Sequence, residues 1–77
     1  MKIDHEDIKI IFAKIFPDQV TDKKFLDLKM SDIEKWDSLG NFNFLLEIEE
    51  FYDFQFDMEQ LASLNSIETI LEYLERR

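Results

Sequence analysis

The 77-residue chain contains no cysteine, one glycine and one proline. The absence of cysteine excludes disulfide bonds, thiolate metal sites and a cysteine nucleophile, and it favours a cytoplasmic location. So few glycines and prolines argue against a turn-rich β-protein and favour helices joined by loops. No apolar run is long enough to cross a bilayer, and no signal-peptide pattern opens the chain. We therefore expect one cytoplasmic, all-α domain over residues 1–77, without a membrane span.

Residues 36–75 contain no Lys or Arg. Seven of the nine Lys and Arg residues lie within the first 35 positions, and the other two are Arg76 and Arg77. Ten acidic residues lie between Asp37 and Glu75, and the formal net charge is −9. This distribution predicts an acidic surface without internal ion pairs, which would repel nucleic acid and anionic membranes and attract partners with basic patches. Alternatively, the acidity only keeps a small apolar bundle soluble.

Helical periodicity predicts a first helix over residues 4–16, which Pro17 ends. Residues 18–36 then form a long connection without clear periodicity. Its apolar side chains predict that it packs over the bundle; they are Phe25, Leu26, Leu28, Met30 and Ile33. Residues 31–34, with the sequence Ser-Asp-Ile-Glu, match a capping box and predict one short helical turn. Trp36 closes the connection and is interpreted as a packing anchor.

Two further helices are predicted near the end of the chain, the first of them short. Asp57 and Gln60 form a capping pair for a brief third helix. Asn65 and Glu68 form a second capping pair, which opens a last helix that extends to about Arg76. This helix has apolar residues at core spacing; they are Ile67, Ile70, Leu71 and Leu74. The expected fold is therefore a four-helix bundle of three longer helices and one short helix, with a long loop between helices 1 and 2.

The stretch that begins at Ser38 is apolar around most of its circumference when it is wound as a helix. One apolar arc comprises Phe44, Leu45, Ile48, Phe51 and Tyr52. A second arc comprises Leu39, Phe42 and Leu46. The polar strip is limited to Gly40, Asn43, Glu47 and Glu50. A helix of this kind must be surrounded by other elements, so it is predicted to be the central helix of the bundle.

Conventional catalysis finds little support in the sequence. His5 is the single histidine, and it has no serine or cysteine partner at a recognisable spacing. Gly40 is the single glycine, so no phosphate-binding glycine loop exists. The acidic residues do not follow the calcium-loop pattern of an EF-hand. We expect neither an enzyme nor a metal site.

The tripeptide Asp37-Ser38-Leu39 opens the central helix and allows two interpretations. In the structural interpretation, Asp37 is the N-cap, Ser38 is the first helical residue and Leu39 is the first core residue. In the functional interpretation, the Ser38 hydroxyl is exposed beside unpaired backbone N–H groups at the positive helix end. A phosphate attached covalently to this hydroxyl would be stabilised there.

At these residues the sequence resembles the acyl carrier proteins. Residues 36–40, Trp-Asp-Ser-Leu-Gly, and residues 46–50, Leu-Glu-Ile-Glu-Glu, match the family's pattern of an attachment motif followed by an acidic helix. The resemblance implies a non-enzymatic carrier in which Ser38 receives 4′-phosphopantetheine from coenzyme A through a separate magnesium-dependent phosphopantetheinyl transferase. Asp37 and Leu39 would complete this cofactor-binding motif. The thiol of the attached arm would hold an acyl intermediate as a thioester.

The resemblance also implies partners and cargo. Four acidic residues would meet basic patches on acyl-loading and acyl-transfer or condensing enzymes; they are Glu47, Glu49, Glu50 and Asp53. Leu46 and the bundle interior around it would shelter the cargo, expected to be a short acyl or aminoacyl group. Gly40 and Asn43 stand where many fatty-acid carriers are acidic, so the chain looks more like a specialised stand-alone carrier of a dedicated pathway, expected to be a monomer. One alternative is a helical interaction module, never modified, that docks a basic partner through its acidic face. A third possibility is a degenerate carrier that keeps the fold but is never modified, which the intact Asp37, Ser38 and Leu39 disfavour.

Overall fold

The computed structural model describes residues 2–17 and 23–77, and within these ranges the chain is all-α, with four α-helices and no strand. The helices are α1 (His5–Ile15), α2 (Ser38–Tyr52), α3 (Met58–Ser63) and α4 (Ile67–Arg76). Two short 3-10 turns, Phe25–Asp27 and Met30–Asp32, lie between α1 and α2. The predicted pattern of three longer helices and one short helix is confirmed. The part of the predicted connection at residues 18–22 lies outside the described residues.

The first helix has the predicted position to within one residue at each end. Asp4 is its N-cap, and the Asp4 carboxylate accepts a hydrogen bond of 2.9 Å from the backbone N–H of Glu6. This bond satisfies one of the donors that a helix start leaves unpaired. The buried face is formed by Ile8, Ile11 and Phe12. Phe16 follows as the C-cap and is itself buried.

An aromatic cluster fills the core between α1 and α2. The Trp36 ring lies 5.2 Å from the Phe12 ring and 6.1 Å from both the Phe16 and Phe44 rings, centroid to centroid. Trp36 is 1% exposed, so its interpretation as a packing anchor is confirmed. Full burial of a large apolar side chain contributes about 1.5–3 kcal/mol. Such a cluster therefore stabilises a chain that is near the lower size limit for a single core.

The connection between α1 and α2 packs against the bundle, as predicted, through the buried residues Leu28 and Ile33, although Leu26 is exposed. The short helical turn predicted near residues 31–34 is present as the 3-10 turn Met30–Asp32, but the cap assigned to it was wrong. The 3-10 turn starts one residue earlier, and the Asp32 carboxylate accepts the Lys29 N–H at 3.0 Å. The connection is also joined to the start of α4 by two backbone hydrogen bonds. These bonds run from Met30 N to Asn65 O and from Ile67 N to Leu28 O, each 3.0 Å long.

Both late helices begin with side-chain caps. Before α3, the backbone N–H of Asp57 donates to the Gln60 side chain at 3.2 Å, which confirms the predicted pair. The N-cap of α4 is Ser66 rather than Asn65, and its hydroxyl accepts the Thr69 N–H at 3.1 Å. The prediction failed by one residue because asparagine and serine are equally good caps. The four predicted core residues of α4 are all buried.

The prediction that α2 is surrounded on most sides was wrong for part of its circumference. Phe44, Leu45 and Ile48 are fully buried. Four other large apolar residues of α2 are exposed; they are Leu39, Phe42, Leu46 and Phe51. The remaining helices cover only one side of α2, so apolar character all round did not mean burial all round. Each helix in the described part of the chain is too short or too polar to span a bilayer.

Candidate functional site

The start of α2 holds Ser38 in a fixed and open position. The Asp37 backbone is extended, and its carboxylate accepts the Gly40 N–H at 2.8 Å, which confirms Asp37 as the N-cap. Asn41 N–H donates to the Asp37 carbonyl oxygen at 2.8 Å, the first hydrogen bond of the helix. Ser38 is therefore the first helical residue, as predicted. Its side chain is exposed, and no residue in ranges 2–17 and 23–77 makes a hydrogen bond to its hydroxyl.

Gly40 is required by a close approach of the backbone that precedes the helix. A Cβ at this position would collide with the carbonyl oxygen of Lys35 and would lie 3.0 Å from Cε1 of Phe16. The chain can therefore turn tightly from Lys35 into the first turn of α2 only because residue 40 has no side chain. This packing explains why residue 40, directly after Asp37-Ser38-Leu39, is a glycine.

Asn41 is a central residue of this site that the sequence interpretation missed. It is 4% exposed, and its side-chain oxygen accepts the indole N–H of Trp36 at 2.9 Å. Its side-chain nitrogen donates to the carbonyl oxygen of Leu64 at 2.7 Å. Asn41 thus joins the residue before the motif to the C-terminal end of α3. The available signal was its place on the helical wheel, between the apolar positions of Ile48 and Leu45, where an asparagine must find partners.

An open depression of about 460 Å³ adjoins Ser38 on the side of the α1–α2 connection. It is lined by Met30, Ser31, Ile33, Glu34, Trp36, Asp37 and Ser38. Ile33 and Trp36 are buried beneath its floor, whereas Ser31 and Glu34 are exposed. Among residues 2–17 and 23–77, no element covers the space that a group attached to the Ser38 hydroxyl would enter on this side.

Leu39, Phe42 and Leu46 form an exposed apolar line along α2, which we name the outer strip. These residues are 68%, 42% and 38% exposed. Their spacing of three and four residues places them on one helix face. One prediction was wrong here: Leu39 is not the first core residue. The sheltering of a cargo by Leu46 stays a prediction. Exposed apolar residues that share a face are typical of interaction sites.

The four predicted acidic site residues are placed in two different settings. Glu50 and Asp53 are exposed near the C-terminal end of α2, and Asp53 ends the helix in a left-handed backbone conformation with φ 56°. Glu47 makes an ion pair of 3.0 Å with Lys14 of α1. The Glu49 carboxylate accepts the backbone N–H of Phe56 at 2.6 Å. Only Glu50 and Asp53 therefore present carboxylates that are not used by these internal contacts.

The charge distribution predicted an acidic half without internal ion pairs, and this prediction was wrong. Besides the Lys14–Glu47 pair, Arg76 contacts Glu72 one turn earlier in α4 at 2.6 Å. The hydrogen bond to Glu47 raises the pKa of Lys14. Folding brings Lys14 and Glu47 together from positions 33 residues apart, so a count of charges along the chain cannot show this pair. Glu72 and Arg76 are four residues apart on α4, a spacing at which opposite charges meet on a helix surface.

No group of three or more His, Cys, Asp or Glu side chains in the described ranges is arranged to hold a metal ion. Comparisons of the chain with protein-family models, with curated proteins and with solved structures found no match. The interpretation of the site therefore depends on its own geometry. The features to be explained are an exposed serine at a capped helix start, an adjacent open depression and an apolar strip bordered by carboxylates.

Proposed function

We propose that this chain is an acyl carrier protein whose Ser38 carries 4′-phosphopantetheine. The observation that supports this most is the placement of Ser38 as an exposed first residue of a 15-residue helix, with the preceding Asp37 fixed by its cap. Because Ser38 is exposed, a modifying enzyme can reach its hydroxyl without any unfolding of the helix. When attached, the group supplies the thiol that holds an acyl or aminoacyl cargo as a thioester, which a chain without cysteine cannot supply itself.

The residues around Ser38 fit such a group. Asp37 caps the N–H of Gly40, which leaves the N–H groups of Ser38 and Leu39 as the free donors of the first turn. The partial positive charge of the helix start favours a phosphate at this place. The neighbouring depression of about 460 Å³ leaves space for the arm on the protein surface. We therefore propose a cargo that is carried outside the core.

The outer strip supports the second part of the proposal, which is docking of partner enzymes. Leu39, Phe42 and Leu46 run from the attachment residue along α2 towards Glu50 and Asp53. A partner would match this surface if it had an apolar pocket for the outer strip and basic residues at the rim that face Glu50 and Asp53. The transferase that modifies Ser38 and the enzymes that load or receive the cargo would share this surface.

The deciding experiment is an intact-mass measurement after incubation with coenzyme A, magnesium and a broad-specificity phosphopantetheinyl transferase. Wild-type protein should gain one phosphopantetheine, and Ser38→Ala should gain none. Ser63→Ala is the matched control, because Ser63 is an exposed serine of α3, and it should be modified like wild type. Folded wild-type protein that resists several transferases would refute the carrier proposal and leave either an interaction module that docks a basic partner or a degenerate carrier that is never modified.

The role of the outer strip is tested by the kinetics of the same transfer reaction. Phe42→Ala should raise KM more than it lowers kcat, because the lost contact contributes to docking and not to the transfer step. Ile10→Ala is the matched control, since Ile10 is an exposed aliphatic residue of α1 and lies outside the strip. Equal kinetic effects of the two substitutions would contradict a specific docking role for Phe42.

A further inference from the structure

Helix α3 packs against the core through one partly buried apolar residue, Leu61. It has six residues, Met58–Ser63, and none of them is buried. Met58 at its start is 83% exposed. A helix this short does not form stably by itself in water, so contacts outside α3 must hold it in place.

Two polar side chains of α2 provide such contacts at both ends of α3. The Glu49 carboxylate accepts the N–H of Phe56, two residues before α3 begins, at 2.6 Å. The Asn41 side chain donates to the carbonyl oxygen of Leu64, the C-cap of α3, at 2.7 Å. The earlier residue of α2 contacts the later end of the α3 segment, so α3 runs in the opposite direction beside α2.

The two contacts lie at opposite ends of the α3 segment, one before its first residue and one at its C-cap. Asn41 and Glu49 are eight residues apart on one helix, which corresponds to about 12 Å along the axis. Phe56 and Leu64 are also eight residues apart. The two side chains therefore bracket α3 rather than contact it at a single point.

Asn41 connects this bracket to the attachment site. Its oxygen accepts from the Trp36 indole, and its nitrogen donates to the Leu64 carbonyl. The indole N–H only donates and the carbonyl only accepts, so the orientation of the amide is fixed by its two partners. Trp36 and Asn41 lie on either side of Ser38 in the sequence. The Asn41 side chain therefore links the segment that contains Ser38 to the C-terminal end of α3.

We infer that Asn41 and Glu49 are positioning residues that hold α3 against α2, so that partners meet a surface made of two helices beside Ser38. The statement about partners rests on the proposed carrier function. Glu49 then acts through the backbone of Phe56 and does not offer its charge to a partner. This assigns Glu49 a role different from that of Glu50, which is exposed on the same helix.

Amide hydrogen exchange tests the bracket without reference to any carrier activity. Glu49→Ala should accelerate exchange across residues 56–64 by about tenfold, since one hydrogen bond to a charged group is lost, and exchange in α1 and α4 should be unchanged. Glu49→Gln retains an oxygen acceptor at the same place and should restore slow exchange. Asn41→Ala should accelerate the same segment, and Glu50→Ala is the matched control with wild-type exchange. Unchanged exchange in Glu49→Ala would overturn the bracket, whatever Asn41→Ala does to the fold.

Transfer kinetics then test the consequence for partners. Glu49→Ala should raise the KM for the transferase several-fold with kcat nearly unchanged, and Glu49→Gln should rescue it. A purely charge-based contact predicts the opposite for Glu49→Gln, because this variant has lost its charge; a KM raised as much as in Glu49→Ala would overturn the positioning role. If wild-type protein is never modified, the carrier proposal fails on the Ser38 experiment, and the exchange data still decide whether the bracket exists.

Discussion

Gly40 lies where the backbone before α2 approaches the first turn of the helix most closely, so Gly40→Ala tests the geometry of the site directly. The added methyl group would collide with the Lys35 carbonyl oxygen and would lie 3.0 and 3.2 Å from two carbons of the Phe16 ring. Alanine is favoured over glycine in a helix interior by about 1 kcal/mol. Overpacking costs about 1–3 kcal/mol, and here the upper half of that range applies because a backbone oxygen cannot rotate away.

The collision should therefore exceed the gain in helix propensity and leave a net destabilisation of about 1–2 kcal/mol. For a chain of this size, such a loss lowers Tm by roughly 4–16 °C. Urea denaturation followed by circular dichroism measures the free energy of unfolding, and a thermal melt measures Tm. Asn43→Ala is the control, because Asn43 is an exposed position of the same helix and should be neutral or slightly stabilising. A Gly40→Ala protein as stable as wild type would refute the close approach.

Three further substitutions test other parts of the structure. Asp53→Gly should raise the free energy of unfolding by about 1 kcal/mol in urea titrations, because glycine adopts the left-handed conformation of this residue without strain; a loss of stability would contradict this. Trp36→Phe should lower it by about 1–3 kcal/mol, because the buried Asn41 oxygen loses its donor, and an unchanged urea midpoint would contradict the network. The hydrogen bond from Lys23 lowers the pKa of Asp32 below 3.8. The ionised Asp32 carboxylate therefore stabilises the fold above pH 3.8, and this contribution is lost as the pH falls through the folded-state pKa. Asp32→Asn should therefore flatten the dependence of the urea midpoint on pH below 3.8, and an unaltered slope would disagree.

Features that depend on neighbours in the sequence were predicted well. Asp37 caps α2, and Asp57 and Gln60 cap α3, because a cap is a contact across two or three residues. The bounds of α1 followed from its apolar spacing and from Pro17. The start of α4 was displaced by one residue because two adjacent residues are both good caps.

Features that depend on where other helices lie were not predictable in the same way. Periodicity shows that Leu39 and Leu46 are apolar, but the number of helices that reach α2 decides whether they are buried. The Lys14–Glu47 ion pair joins residues 33 positions apart, so no local rule indicates it. Asn41 illustrates the intermediate case: its wheel position suggested burial, whereas its two partners, Trp36 and Leu64, are supplied by the tertiary fold.

Trp36 is the single tryptophan of the chain, and this gives the protein an optical property located at one place. Its indole is buried against aromatic rings, bonded to Asn41, and two residues before Ser38 in the sequence. Tryptophan emission therefore arises from one environment, and a change in its wavelength or intensity reports on the core where the start of α2 packs against Phe12 and Phe16. The chain thus carries an intrinsic fluorescent reporter, with which changes at Ser38 can be followed in real time without any attached dye.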